Sequence, residues 1–140
     1  MNKIYPEKIS SLNFAAIILA LACLYFLAGK FSLDFAYLNE SASPFWFPTA
    51  ISITAFIYLG YRIWPAVFIG AFLVNITTNG SVPTTFGIAA GNTLEGVAAL
   101  FFINRFFDKD NLFVNPVSII KYAFLVGILP TLISALVGTS

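Results

Sequence analysis

Long apolar runs alternate with short polar segments along the whole chain, and five of these runs are candidates for transmembrane helices. They cover about residues 12–29, 44–60, 63–78, 83–104 and 114–138. A helix needs about 20 mostly apolar residues to cross a bilayer. The runs are continuous rather than alternating, which favours helices over the strands of a membrane β-barrel. The pattern therefore predicts an all-α, polytopic transmembrane bundle that forms a single domain.

Prolines mark several of the predicted helix ends. Pro44, Pro83 and Pro116 stand at or near helix starts, where a missing backbone N–H costs least. Pro130 lies inside the fifth run, and we expect it to kink that helix.

The second and third runs are separated only by Tyr61 and Arg62, which predicts a tight antiparallel hairpin. The sequence Pro-Thr-Ala-Ile-Ser at 48–52 echoes Pro-Thr-Leu-Ile-Ser at 130–134. A match of this length is near chance, so we predict no internal repeat.

Composition excludes several classes of protein. Of the 140 residues, 59% are hydrophobic and 9% are charged, whereas soluble domains are about 25% charged. The chain has no histidine and a single cysteine, Cys23, which argues against disulfide frameworks, zinc clusters and histidine-dependent catalysis. Seven basic and six acidic residues leave no strongly basic surface for nucleic acid. We expect no cofactor.

The first run has a second interpretation as a signal peptide, because Leu-Ala-Leu-Ala-Cys at 19–23 is similar to a lipoprotein cleavage site. The apolar run continues past Cys23 to Gly29, whereas a signal peptide ends in small residues before a soluble segment. A retained helix is therefore favoured.

The positions of the basic residues predict how the chain is oriented in the membrane. With a cytoplasmic N-terminus, Lys30 is the only basic residue outside, as the positive-inside rule requires. The inside then holds Lys3, Lys8, Arg62, Arg105 and Lys109, with Lys121 close by. Five spans put Ser140 outside with no polar tail after it, so we expect the chain to be part of a longer protein.

Glu95 is the most informative residue, because it lies near the middle of the fourth run. An acidic side chain there costs on the order of 3 kcal/mol on insertion scales, which predicts that the fourth helix is the interior one. Gly87, Gly91 and Glu95 share one helix stripe that permits close approach by another helix, and Asn92 adjoins it. Two interpretations stay open: a polar pocket for a small molecule, an ion or a proton, or interhelical hydrogen bonding without a ligand.

Lys121 is the candidate partner for Glu95. Its long side chain reaches either inward to the carboxylate or outward to lipid phosphates. The outward orientation is favoured, and an ion pair with Glu95 stays a hypothesis.

Aromatic residues and prolines open the second run near the outer interface. Trp46 is expected to anchor the aromatic belt, and the alternative is an outer ligand cleft formed with Pro48 and Asn75. At the inner side, Arg62 is expected to contact phosphate, and Trp64 and Pro65 open the third run. No catalytic or metal site is predicted, because Glu95 and Lys121 are the only acid–base candidates within the membrane.

Three segments carry a family resemblance: Phe-Trp-Phe-Pro-Thr at 45–49, Leu-Gly-Tyr-Arg-x-Trp-Pro-Ala-x-Phe-x-Gly-Ala-Phe-x-x-Asn at 59–75, and Gly-Asn-Thr-Leu-Glu at 91–95. They resemble the bacterial membrane-associated sensor domain of the first type, in the MASE family, over about residues 10–140. Ala50 departs from the glycine expected after Pro-Thr.

The resemblance implies the sensory region of a signalling protein, with about eight helices before a cytoplasmic histidine kinase or diguanylate cyclase module. Our leading hypothesis is therefore a multi-pass sensory input domain of the bacterial inner membrane, without catalytic activity. Its expected partners are the bilayer, further C-terminal helices with an output module, a second copy in a homodimer, and an unidentified stimulus, but no nucleic acid. The alternatives are a solute-binding subunit of a transporter and a membrane anchor without a sensory role.

Overall fold

Helices account for all the regular structure in the computed structural model, which describes residues 11–35, 46–78, 80–107 and 116–138. The all-α prediction is therefore confirmed. Pro44, Lys3, Lys8, Lys109 and Ser140 lie outside the described residues. The helices are α1 (Ser11–Leu33), α2 (Phe47–Leu59), α3 (Trp64–Ile76), α4 (Val82–Phe106) and α5 (Pro116–Val137).

The five helices fall into two length classes. With 23, 25 and 22 residues, α1, α4 and α5 are long and apolar enough to cross a membrane. With 13 residues each, α2 and α3 extend only about 20 Å, less than the ~30 Å of a hydrocarbon core. The count of five crossings therefore stays a prediction, because three of the helices in the described residues reach the spanning length.

Local sequence explains where the helices begin. Pro48, Pro65 and Pro83 each lie in the first turn of a helix, and Pro116 begins α5. Ser81 caps α4, since its Oγ accepts a hydrogen bond of 3.4 Å from the backbone N–H of Thr84. The predicted starts at Pro83 and Pro116 are confirmed.

The turn between α2 and α3 does not produce the predicted tight hairpin. Gly60 has a positive φ of 77° and leads into a 3-10 turn at Tyr61–Ile63. Each of α2 and α3 packs mainly against α1 and α4 and hardly against the other. Helix α2 begins beside the end of α1 and α3 begins beside the start of α1, so α2 and α3 are antiparallel. They form a diagonal pair, with α1 and α4 between them.

Of the three long helices, α4 is the most buried, in agreement with the predicted interior position of the fourth helix. Its apolar segment is 44% buried, against 17% for α1 and 11% for α5. Gly96 allows α2 to approach closely, because a Cβ atom at this position would overlap the ring of Phe56. Phe56 itself is fully buried in the main core, with Ile63 and Val67.

The regular hydrogen-bond pattern of α5 is interrupted immediately before Pro130. Residues Ala123–Ile128 form a π-helical turn. Proline has no N–H to donate to the carbonyl four residues earlier and clashes with it, so a wider turn relieves both problems. The kink predicted at Pro130 stays a prediction, and the structure places a π turn just before this proline.

Opposite ends of the bundle have different polar contacts. At one end, which we call the Lys30 end, the Lys30 ammonium donates to Thr77 O at 3.0 Å, and the Phe47 N–H donates to Ser32 Oγ at 3.1 Å. At the other, the Arg62 end, the Arg62 guanidinium lies 4.7 Å from the centre of the Phe14 ring. These contacts fix which helix ends lie together.

Candidate functional site

The carboxyl group of Glu95 joins three helices. Its side chain is only 4% exposed near the middle of α4. Oε1 lies 2.7 Å from Thr131 Oγ1 on α5, and Oε2 lies 3.3 Å from Thr49 Oγ1 on α2. We call Thr49, Asn92, Glu95, Thr131 and Ser134 the Glu95 cluster.

Asn92 extends the cluster by one helical turn. Ser134 Oγ on α5 donates to Asn92 Oδ1 at 3.1 Å. Asn92 is 9% exposed, and its Nδ2 has no hydrogen-bond partner within the described ranges. The Nδ2 of a buried amide carries two N–H donors, which a water molecule or a polar ligand can satisfy.

The glycine stripe of α4 faces α5. A Cβ atom on Gly91 would stand 2.7 Å from the carbonyl oxygen of Ser134, and one on Gly87 would stand 3.6 Å from that of Val137. Gly87 precedes Gly91 on α4, but it faces a later residue of α5, so the two helices are antiparallel. The predicted close approach at Gly91 is confirmed.

Tyr25 of α1 adds a phenol to this region. It is 1% exposed, and its side chain lies within interaction range of the side chains of Trp46, Asn92 and Glu95. Trp46 is half-buried directly before α2, where it packs against the main core. Trp46 is therefore part of the bundle and not only a surface anchor.

The hypothesis of an ion pair between Lys121 and Glu95 is wrong. The Lys121 ammonium lies 3.5 Å from Phe106 O and 5.6 Å from the ring centres of Phe106 and Phe107. Phe106 is the last residue of α4, about 16 Å along the helix from Glu95. Lys121 thus takes the exposed position that the outward orientation predicted.

Two residues of the hypothetical outer cleft, Pro48 and Asn75, are buried in the bundle. Pro48 is buried and directly precedes Thr49, so its fixed φ helps to place that hydroxyl. Asn75 is buried, but its Nδ2 donates to Ala71 O at 2.8 Å within α3. Its amide nitrogen therefore serves the end of its own helix.

The residues of the predicted inner turn lie at the Arg62 end. Arg62 and Trp64 are exposed, and Pro65 is half-buried in the first turn of α3. Their exposure leaves them free to meet headgroups, which is the role that the sequence predicts.

Sequence reasoning missed the hydroxyl groups that meet Glu95 and Asn92. Thr49, Thr131 and Ser134 are small residues that occur in many apolar helices, so none stands out alone. The available signal was the echo between residues 48–52 and 130–134. In the structure, both threonines of that echo follow a proline and approach the same carboxyl group.

Comparison with known families now identifies the chain. The family model of MASE1, membrane-associated sensor domain 1, matches residues 15–139. The chain belongs to the MASE1 family. MASE1 is a membrane sensor domain of signalling proteins. No curated protein and no solved structure matches the chain.

Proposed function

We propose that this MASE1 domain is a multi-pass sensory input domain of the bacterial inner membrane. Its N-terminus is cytoplasmic, and it controls a histidine kinase or diguanylate cyclase module carried by the same polypeptide. The observation that carries the proposal is the Glu95 cluster, because polar groups from three helices meet there inside an apolar bundle. Ionisable residues within membrane segments commonly mark functional sites.

The mechanism is a change in the packing of α5 against α4. Helix α5 contacts α4 through the glycine stripe and the Glu95 cluster, and much of its remaining surface is exposed. A stimulus that binds one arrangement of this contact better than another shifts the population between the two. The buried amide of Asn92 supports a polar stimulus, since its Nδ2 can donate to a hydrogen-bond acceptor.

The exposed apolar face of α5 supports contacts with further partners. Val117, Ile120, Leu132 and Leu136 are all largely exposed on this helix. Lipid, additional helices of the same polypeptide, or a second copy in a homodimer would cover such a face. The proposed transfer of a signal then runs from the Glu95 cluster through α5 to these neighbours.

Substitution of the cluster in the full-length protein tests this function. Glu95→Gln and Asn92→Ala should each change the basal output or its response to stimulus by about 5-fold or more, which corresponds to a coupling free energy of 1 kcal/mol or above. The readout is kinase autophosphorylation or cyclic dinucleotide synthesis in membranes, normalised to inserted protein.

Leu94→Ala is the matched control, since Leu94 precedes Glu95 but is exposed. This variant should keep the wild-type output. Output that is unchanged in both cluster variants would contradict the sensory role and leave an anchor without a sensory function.

A further inference from the structure

The Thr131 hydroxyl lies between two oxygens at the same short distance. Its Oγ1 is 2.7 Å from Glu95 Oε1 and 2.7 Å from Gly127 O. A threonine hydroxyl carries one proton, and a backbone carbonyl can only accept. An ionised carboxylate also only accepts. With Glu95 ionised, one of the two short contacts would therefore join two oxygens with no proton between them.

A protonated Glu95 satisfies every contact in this chain of oxygens. The carboxyl O–H at Oε1 donates to Thr131 Oγ1, and the Thr131 O–H donates to Gly127 O. Oε2 then accepts from Thr49 Oγ1 at 3.3 Å. Each of the three contacts contains one proton.

The charges around Glu95 agree with a neutral carboxyl group. In the described segments, Lys30 binds Thr77 and Thr78 at the Lys30 end, and Arg62 lies on Phe14 at the opposite end. Arg105 and Lys121 lie over the Phe106 ring at the end of α4. None of these cations therefore offsets a charge on Glu95, and a buried charge without a partner is costly.

We propose that Glu95 is a proton-binding site, and that the bound proton holds α5 against α4 through Thr131. The proton is then a ligand of the site in the proposed function, and only the effect of the proton on signalling rests on that function. Loss of the proton leaves two acceptors competing for one Thr131 hydroxyl. One of these acceptors, Gly127 O, belongs to the π turn, where the regular hydrogen-bond pattern of α5 is already interrupted.

Few other ionisable groups face this site. Tyr25 of α1 is the titratable side chain that interacts with Glu95. Helix α3 contains no ionisable residue, and α2 contains only the exposed Tyr58. On α5, Lys121 and Tyr122 precede Thr131 by about 14 Å or more along the helix axis.

Infrared spectroscopy of the reconstituted protein, labelled with ¹³C-glutamate, tests the proposal. At pH 7 the wild type should show the carbonyl band of a protonated glutamic acid, shifted by the label and lost as the pH is raised. Glu7 and Glu40 are the other two glutamates of the chain, and both lie outside its apolar runs. A Glu7→Gln/Glu40→Gln variant should therefore keep the band, and Glu95→Gln should lose it. A wild-type spectrum with only ionised glutamate at pH 7 would overturn the proposal.

Two threonine variants test the part played by Thr131. Thr131→Val should shift the frequency of the band, because the carboxyl proton loses its acceptor, whereas Thr84→Val, at an exposed position of α4, should not. A band unmoved by Thr131→Val would overturn the contact with α5. These spectra need no output module. A protonated Glu95 together with output that ignores Glu95→Gln would refute the proposed function alone.

Discussion

Glu95 is the only acidic residue in the helices that the structure describes. Its insertion cost of about 3 kcal/mol is offset in part by hydrogen bonds with two threonines. Both threonines follow a proline, Pro48 on α2 and Pro130 on α5. Two Pro-Thr pairs from different helices therefore hold one carboxyl group.

Gly91 is where the packing of α5 on α4 is most sensitive to added volume. Gly91→Ala should destabilise the domain by about 1–3 kcal/mol, because the new methyl group meets the Ser134 carbonyl oxygen. Gly127→Ala is the matched control, since a Cβ atom there meets nothing within 4 Å. Denaturant unfolding in mild detergent measures both. Equal stability of the two variants would contradict the α4–α5 contact.

The sequence predicts which residues are expensive to bury or need close packing, but it does not predict the side chains on other helices that meet them. Glu95 and Gly91 could be found because burial cost and four-residue spacing are local properties. The partners Thr131 and Thr49 lie 36 and 46 positions away, on helices whose facing sides the sequence does not specify. Lys121 was a plausible partner by charge alone, but its position along α5 places it at the far end of α4.

The pairing of α4 with α5 is the main contact at the element scale. Contacts run from Lys121 near Phe106, through Thr131 at Glu95, to Val137 near Gly87. One antiparallel register accounts for all three. The apolar runs predicted that these helices exist, but not which helices are neighbours. For the same reason, the short connection between α2 and α3 suggested a packed hairpin where the structure has a diagonal pair.

The antiparallel register of α4 and α5 predicts the result of exchanging the charges of Glu95 and Lys121. The double variant Glu95→Lys/Lys121→Glu should give no more folded protein than the worse single variant. Lys121 lies beside Phe106, which is about 16 Å from Glu95 along α4. Lys121→Gln should give nearly the wild-type yield, since Lys121 is exposed. Size-exclusion chromatography of detergent extracts measures the folded yield. Recovery by the exchange would restore the ion-pair hypothesis.

At the scale of the whole molecule, the two ends of the bundle carry the proposed orientation. The Lys30 end includes the exposed Asp34, and the Arg62 end includes the exposed Tyr61. The positive-inside rule assigns the Lys30 end to the outside of the cell. The charge pattern predicts this orientation from sequence alone, whereas the lengths of α2 and α3 leave the number of crossings open.

Single-cysteine labelling tests the orientation. In a Cys23→Ala background, Asp34→Cys should react with a membrane-impermeant maleimide in intact cells. Tyr61→Cys should react only after the membrane is permeabilised. The reverse pattern would place the N-terminus outside and would remove the proposed cytoplasmic connection to an output module.

The hydrogen bond between Glu95 and Thr131 is the contact by which α4 and α5 are joined near the middle of the bundle. A double-mutant cycle with Glu95→Ala and Thr131→Val, measured by denaturant unfolding in mild detergent, tests it most directly. We expect a coupling free energy of about 1 kcal/mol, in the range of interhelical hydrogen bonds in membranes. The cycle of Glu95→Ala with the distant Thr84→Val should be additive. Additivity within experimental error for Glu95 and Thr131 as well would contradict this contact.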